Sequence, residues 1–204
     1  MSRWESGASE RIARAAIELF AERGFEQTTV AQIAERAGVT RRTYFRHFAD
    51  KRDVVFGDHD RLADTVAAVV AVAPAGSSVM QVLREGLRVL ADEVFAGQQQ
   101  RLRSLRAIIR SDASLRERDE HKNAIIAESG ERAFRERGFG ETESRLAAGL
   151  GVLALSVAID RWTESPDGAD LGAIAIDTVD SIAGLALDDR ESLAWKRGGA
   201  RTRS

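Results

Sequence analysis

The sequence predicts an all-α protein in which a three-helix, helix-turn-helix head precedes a larger helical body. Three observations carry that prediction. Apolar residues recur at helical spacing through most of the chain, and no convincing alternation of period two is present. Only two prolines occur, Pro74 and Pro166, both inside loop-like stretches, "APAGSS" and "ESPDGAD". Glycine and threonine punctuate the first fifty residues closely, whereas the later periodic stretches run much longer.

The elements follow in order. A first helix is expected over about 9 to 23, with Ile12, Ala16, Leu19 and Phe20 on one stripe and Gly24 as its stop. Thr29 caps a second, and Gln32 three residues later completes a capping box; Val30, Ile33, Ala34 and Ala37 face inward. Gly38 breaks that helix, and Thr40 caps a short third one ending near Phe48. A fourth is expected to run from Asp50 through "DKRDVVFGDHDRLADTVAAVVAVA", linking head to body. Beyond Pro74, Ser78 and Gln81 form another capping box ahead of "VMQVLREGLRVLADEVF". A polar helix, "QQRLRSLRAIIRS", and a charged one over about 112 to 137 come next. Two apolar stretches, 143 to 163 and about 170 to 187, complete the body. The expected division is a head over 1–52, a ligand-binding and dimerisation body over 53–187, and a disordered tail over 188–204.

Composition narrows the function classes. At 204 residues and 44% hydrophobic the chain can bury a core. It has no cysteine, which excludes disulfides and thiolate metal sites. The opening "MSRWESGASE" lacks the apolar centre of a secretory signal. The longest apolar run, 147 to 159, falls short of the roughly 20 residues that span a bilayer. A cytoplasmic protein with no membrane partner is expected. Net charge is −2 overall, yet residues 1–52 carry ten Lys/Arg against seven Asp/Glu. A basic head on an acidic body suits a polyanionic partner for the head.

The segment "VTRRTYFRHFADK", 39 to 51, is where that charge concentrates. Two short helices joined by a glycine-containing turn make a helix-turn-helix, whose second helix enters the major groove by its N-terminal residues. Arg41 and Arg42 stand on that first turn, and arginine pairs bidentately with guanine O6 and N7. Cations at a helix N-terminus oppose the macrodipole, a local conflict that a phosphate backbone reverses.

Residues 11 to 57, "RIARAAIELFAERGFEQTTVAQIAERAGVTRRTYFRHFADKRDVVFG", resemble the DNA-binding head of the TetR family of bacterial transcriptional regulators. The resemblance implies that Arg41, Arg42 and Thr43 face bases and that Thr29 and Lys51 hold phosphates. It also implies His47 near the DNA backbone, and adds the cap residue Thr40 to the DNA-facing set. Arg46 fits a phosphate contact or a surface salt bridge equally well. Where the family has leucine then tyrosine, this chain has Tyr44 then Phe45; Phe45 has no hydroxyl for a phosphate and is left to touch a thymine methyl or a sugar. Tyr44 and Phe48, four apart, are expected in the head's core.

The body's last two stretches are apolar around their circumference, which fits either burial in one core or an isologous four-helix interface. The dimer reading is preferred, because two recognition helices related by a twofold read a palindrome. By resemblance, the helices over about 60 to 140 enclose an inducer pocket. Candidate lining residues are Leu83, Leu87, Leu90, Phe95, Leu105, Ile108, Ile109, Ile125, Ile126 and Phe134, which would equally fill an ordinary core. The arginines of "QQQRLRSLRAIIR" suggest an anionic ligand such as an acyl-CoA, although surface solvation is the preferred reading. His59 and His121 sit among carboxylates and read as solvated rather than as metal ligands. "GLGVLA" from Gly149 matches a dinucleotide pattern only formally, and no P-loop, zinc-protease motif or nucleophile elbow occurs. No enzyme and no cofactor are expected. The expected function is a dimeric DNA-binding transcriptional regulator, a repressor released by a small molecule. The alternatives are an activator, a ligand-insensitive regulator or a helical protein-interaction module.

Overall fold

The computed structural model describes residues 3–56 and 59–192. These residues form helices and connections, with no strand among them. The helices are α1 (Arg3–Arg23), α2 (Val30–Arg36), α3 (Arg41–His47), α4 (Asp53–Phe56), α5 (His59–Val72), α6 (Val79–Glu93), α7 (Gln99–Ser111), α8 (Ala113–Glu136), α9 (Glu141–Glu164) and α10 (Leu171–Ser192).

Local chemistry sets most boundaries. The Thr29 and Ser78 capping boxes both form, and the Asp112 carboxylate caps α8 by accepting from the Leu115 amide. Gly38 adopts φ +65, and its N–H bonds Glu35 O at 3.1 Å while Val39 N–H bonds Ala34 O at 2.9 Å. That pair of bonds is a Schellman ending, which needs a left-handed residue at the glycine position. The turn of the helix-turn-helix is thereby fixed.

Three element bounds differ from expectation. Helix α1 begins at Arg3, several residues earlier than its apolar stripe suggests. The expected fourth helix begins at Asp53 rather than Asp50, with the Asp50 carboxylate capping it by accepting from Asp53 N–H at 2.8 Å; it is described as α4 and α5, and residues 57 and 58 between them lie outside the described residues. Helix α10 reaches Ser192, into the segment expected as a disordered tail; residues 193–204 lie outside the described residues.

Two apolar cores organise the fold. The first gathers Ile12, Leu19, Ile33, Tyr44 and Phe48 of the head with Val55 and Phe56 of α4 and Leu105, Ile108 and Ile109 of α7. The head is therefore seated on the body through α4 and α7. The second core lies where α5 runs along α8, α8 along α9, and α10 along α6 and α9. Helix α9 has the length and mean hydropathy of a membrane-crossing helix, the one such helix among the described residues. In this fold it packs against α6, α7, α8 and α10.

Candidate nucleic-acid interface

Helix α3 is held from beneath by its aromatic residues. Tyr44 is fully buried and donates its hydroxyl to Asp50 O at 3.0 Å. Burial, reinforced by the nearby Asp50 and Asp53 carboxylates, pushes that phenol well above the usual tyrosine range. Its ring meets Phe48 at 5.8 Å and Phe45 at 5.4 Å between centroids. Phe45 is half-exposed, on the outer surface of the helix. At the leading end, Thr40 Oγ accepts from Thr43 N–H at 3.0 Å and lies 3.0 Å from Thr43 Oγ.

Arg41, Arg42 and Arg46 are exposed, and none makes an ion pair or side-chain hydrogen bond among the described residues. Neighbouring arginines of the head behave differently. Arg36 makes a two-pronged contact with Glu22 at 2.9 and 3.0 Å, and that hydrogen-bonded guanidinium holds the Glu22 carboxyl below its ordinary range. Arg52 pairs with Asp50 at 3.6 Å. Acids are thus placed beside Arg36 and Arg52 and absent beside the α3 arginines.

Three residues expected to contact phosphate or the DNA backbone have protein partners or burial within the chain. Lys51 Nζ donates to Phe25 O at 2.6 Å and sits 4.0 Å from the centroid of the Phe25 ring. Thr29 gives both its amide and its hydroxyl to the Gln32 side-chain carbonyl, at 2.9 and 3.1 Å. A phosphate at Thr29 would have to replace that carbonyl. His47 lines the groove between α1 and α7, and its Nε2 is buried without a hydrogen-bond partner.

In the body, a cavity of about 170 Å³ opens among α4, α5, α7, α8 and α9. Val55 and Phe56 form one wall, Leu102, Leu105 and Ile109 of α7 another, and Ile126, Val152 and Leu155 a third. Its polar end holds Arg106, Asp119, Asn123 and Ser156. Arg106 is 15% exposed, with Nε 3.2 Å from Asp160, Nη1 3.4 Å from Asp119 and Nη2 3.1 Å from Ser156 Oγ. A second cavity of about 40 Å³, lined by apolar side chains and glycines of α5, α6, α8 and α9, shares Ile126, Val152 and Leu155 with the first.

The family model described as bacterial regulatory proteins, tetR family, matches residues 12–56, the helices built around that turn. Over these residues the head is similar to TetR-family regulators. It is 37% identical over 89 residues to the HTH-type transcriptional regulator TcmR of Streptomyces glaucescens, an alignment covering 44% of this chain and 39% of that protein. The chain spans less than half the length of the curated relatives it matches. Among solved structures, the triclosan complex of SmeT, a Stenotrophomonas maltophilia repressor, superposes with TM-score 0.59 at 25% identity, over 86% of this chain and 90% of that one. A TetR-family regulator from Syntrophomonas wolfei superposes with TM-score 0.62 at 17% identity, over 88% and 95%. That second likeness concerns the fold alone.

Within the body, the expected lining residues divide. Phe95, Leu105, Ile109 and Ile126 line the larger cavity, and Leu83, Leu87, Leu90, Ile126 and Phe134 the smaller. Ile108 and Ile125 line neither. Ile108 packs into the head core, and Ile125 is 37% exposed, because its position on α8 turns away from the bundle. The polar quartet escaped sequence reasoning: Arg106, Asp119, Asn123 and Ser156 come from three helices, and no local pattern joins them. The arginines of α7 are not a solvated row. Arg103 donates to Thr163 O at 2.6 Å, Ser165 O at 3.0 Å and Asp167 at 2.9 Å, pinning the α9–α10 loop beside Gln99. His121 is exposed, the His59 side chain lies outside the described residues, and no metal-binding cluster occurs among the described residues.

Proposed function

We propose that the chain is a cytoplasmic, non-enzymatic transcriptional regulator: a dimeric repressor that grips a palindromic operator and is released by a small molecule. The observation that carries the reading is the unpaired state of Arg41, Arg42 and Arg46 on a helix capped and buttressed everywhere else. Solvated guanidinium groups on the leading turn of a recognition helix have the reach and donors to read guanine edges. Arg46 and Phe45, further along the same exposed surface, suit phosphate and sugar contacts.

Two further features support the dimer and the release. Leu146, Leu153 and Val157 of α9 are 62%, 55% and 39% exposed, and Leu185 of α10 is 74% exposed. The α9 set falls at i, i+7 and i+11, one stripe, and covering such a stripe with its own copy gives an isologous interface. A twofold then sets two copies of α3 about 34–36 Å apart, or a multiple of that spacing. For release, the cavity walls on α4 and α7 also belong to the head core, so a ligand that wedges them tilts the head's seat. Such a ligand acts only by binding the DNA-incompetent arrangement more tightly. The likeness to SmeT, solved with triclosan, supports a ligand-responsive body.

Selecting bound sites from random duplexes tests the reading. A palindromic motif is expected, with affinity falling steeply as salt rises. Leu153→Glu should give monomers in sedimentation and lose the palindrome. Selection of no motif, or sequence-independent binding to acidic protein, contradicts the reading; the second outcome is that of an interaction module.

A further inference from the structure

The least exposed cation in the lining of the larger cavity, Arg106, is already committed. Arg106 and Arg110 face Asp119 and Asp160, with Arg106 3.4 and 3.2 Å from the two carboxylates and Arg110 3.7 Å from Asp160. Bringing a further carboxylate or phosphate there would require stripping its water beside a guanidinium that two carboxylates and a hydroxyl already hold. Arg61 and Arg101, which also border the cavity, are exposed at its rim, where water screens them. Inward of that rim, the group left unsatisfied is neutral. Asn123, half-buried and one helical turn beyond Asp119, has a side-chain amide with no hydrogen bond among the described residues. It offers two N–H donors and one carbonyl acceptor.

Size sets the rest. A volume of about 170 Å³ is close to the roughly 150 Å³ of an apolar cavity that admits benzene. Ile126, Val152 and Leu155 then close the apolar end and separate it from the smaller cavity beyond.

We infer that this cavity takes a compact neutral amphiphile, an apolar body of one ring or a short chain bearing a hydroxyl, carbonyl or carboxamide that pairs with Asn123. The three-residue partition sets the ligand's length. This inference deepens, and rests on, the reading of the body as a ligand-responsive module, and it argues against an acyl-CoA in this chamber.

The test uses the full chain and three matched series of four to twelve carbons: 1-alkanols, primary alkyl amides and alkanoates at pH 7.5. Binding is measured by calorimetry without DNA. Alkanols and amides are expected to bind at least tenfold more tightly than the alkanoate of equal length. Affinity should rise about fourfold per methylene and then stop rising within the series. Asn123→Ala should lower alkanol and amide affinity about three- to tenfold. Leu155→Ala, which joins the two cavities, should move the limit to longer chains. Equal or tighter binding of alkanoates to the wild-type protein, an unchanged affinity in Asn123→Ala, or no binding in any series overturns the inference. The wild-type charge preference requires no variant to fold. A second measurement separates the two levels: binding with the expected preference but no effect on DNA affinity upholds the ligand class and removes only the release mechanism.

Discussion

The molecule contains two arginine-rich helices that look alike as sequence and behave oppositely as structure. In α3, "RRTYFRH", Arg41, Arg42 and Arg46 have no protein partner among the described residues. In α7, "QQRLRSLRAIIRS", Arg103 and Arg106 are committed to carbonyls, hydroxyls and carboxylates of α8, α9 and the α9–α10 loop. The lesson concerns donors rather than charge. A guanidinium whose N–H groups are already matched holds a fold together, and one whose groups face water is available to a second molecule.

The contrast can be broken at several points. Replacing Arg41 and Arg42 together by alanine should cost about 2–6 kcal/mol of operator binding, if each contact is worth the usual 1–3 kcal/mol, and should leave the melting temperature unchanged. Anisotropy titration and calorimetry check the two halves separately. A fall in melting temperature would show that these side chains hold the fold after all.

Arg103→Ala should do the reverse. Removing a charged donor from three acceptors should cost about 1–2 kcal/mol of stability, discounted for its partial exposure, with unaltered DNA affinity per folded molecule. Denaturant unfolding reads the first and active-fraction titration the second.

Lys51→Ala sharpens the comparison because Lys51 sits between the two behaviours. Its bond to Phe25 O and its seat on the Phe25 ring predict a stability loss of about 1 kcal/mol. A weaker, sequence-independent loss of DNA binding, with a salt slope about one smaller, is expected only if the ammonium also reaches a phosphate. Loss of DNA binding at full stability would make it a clamp alone.

The smallest effect is one of pH. Arg103, followed by Gln100, holds the Asp167 carboxyl below its ordinary value of 3.8. A carboxyl depressed in the folded state contributes stability above its unfolded value and loses it as pH falls through the folded one. The melting difference between wild type and Arg103→Ala should therefore narrow below the ordinary value. Titrating the α3 variants over the same range should give no such change.

The head was legible in the sequence because its signals are local. Thr29 with Gln32, Thr40 with Thr43, and Gly38 each act within a few residues, so spacing alone reports them. The bounds of α7 were legible for the same reason. What each α7 arginine touches was not, because Arg103 and Arg106 meet partners 50 or more positions away, brought near only by the packing of α7 on α9. The protein contact of Lys51 was not legible for a related reason: the carbonyl that accepts from it, Phe25 O, lies 26 positions away, just beyond the end of α1.

The availability of the α3 arginines is tested most directly by one titration set. Wild type and Arg42→Ala are each measured against the selected operator and against duplexes altered at one base pair at a time. Loss of preference at one position per half-site, with the ranking of all other positions intact, is the predicted result. An equal loss of affinity on every duplex, leaving the full pattern of preference in place, would contradict it.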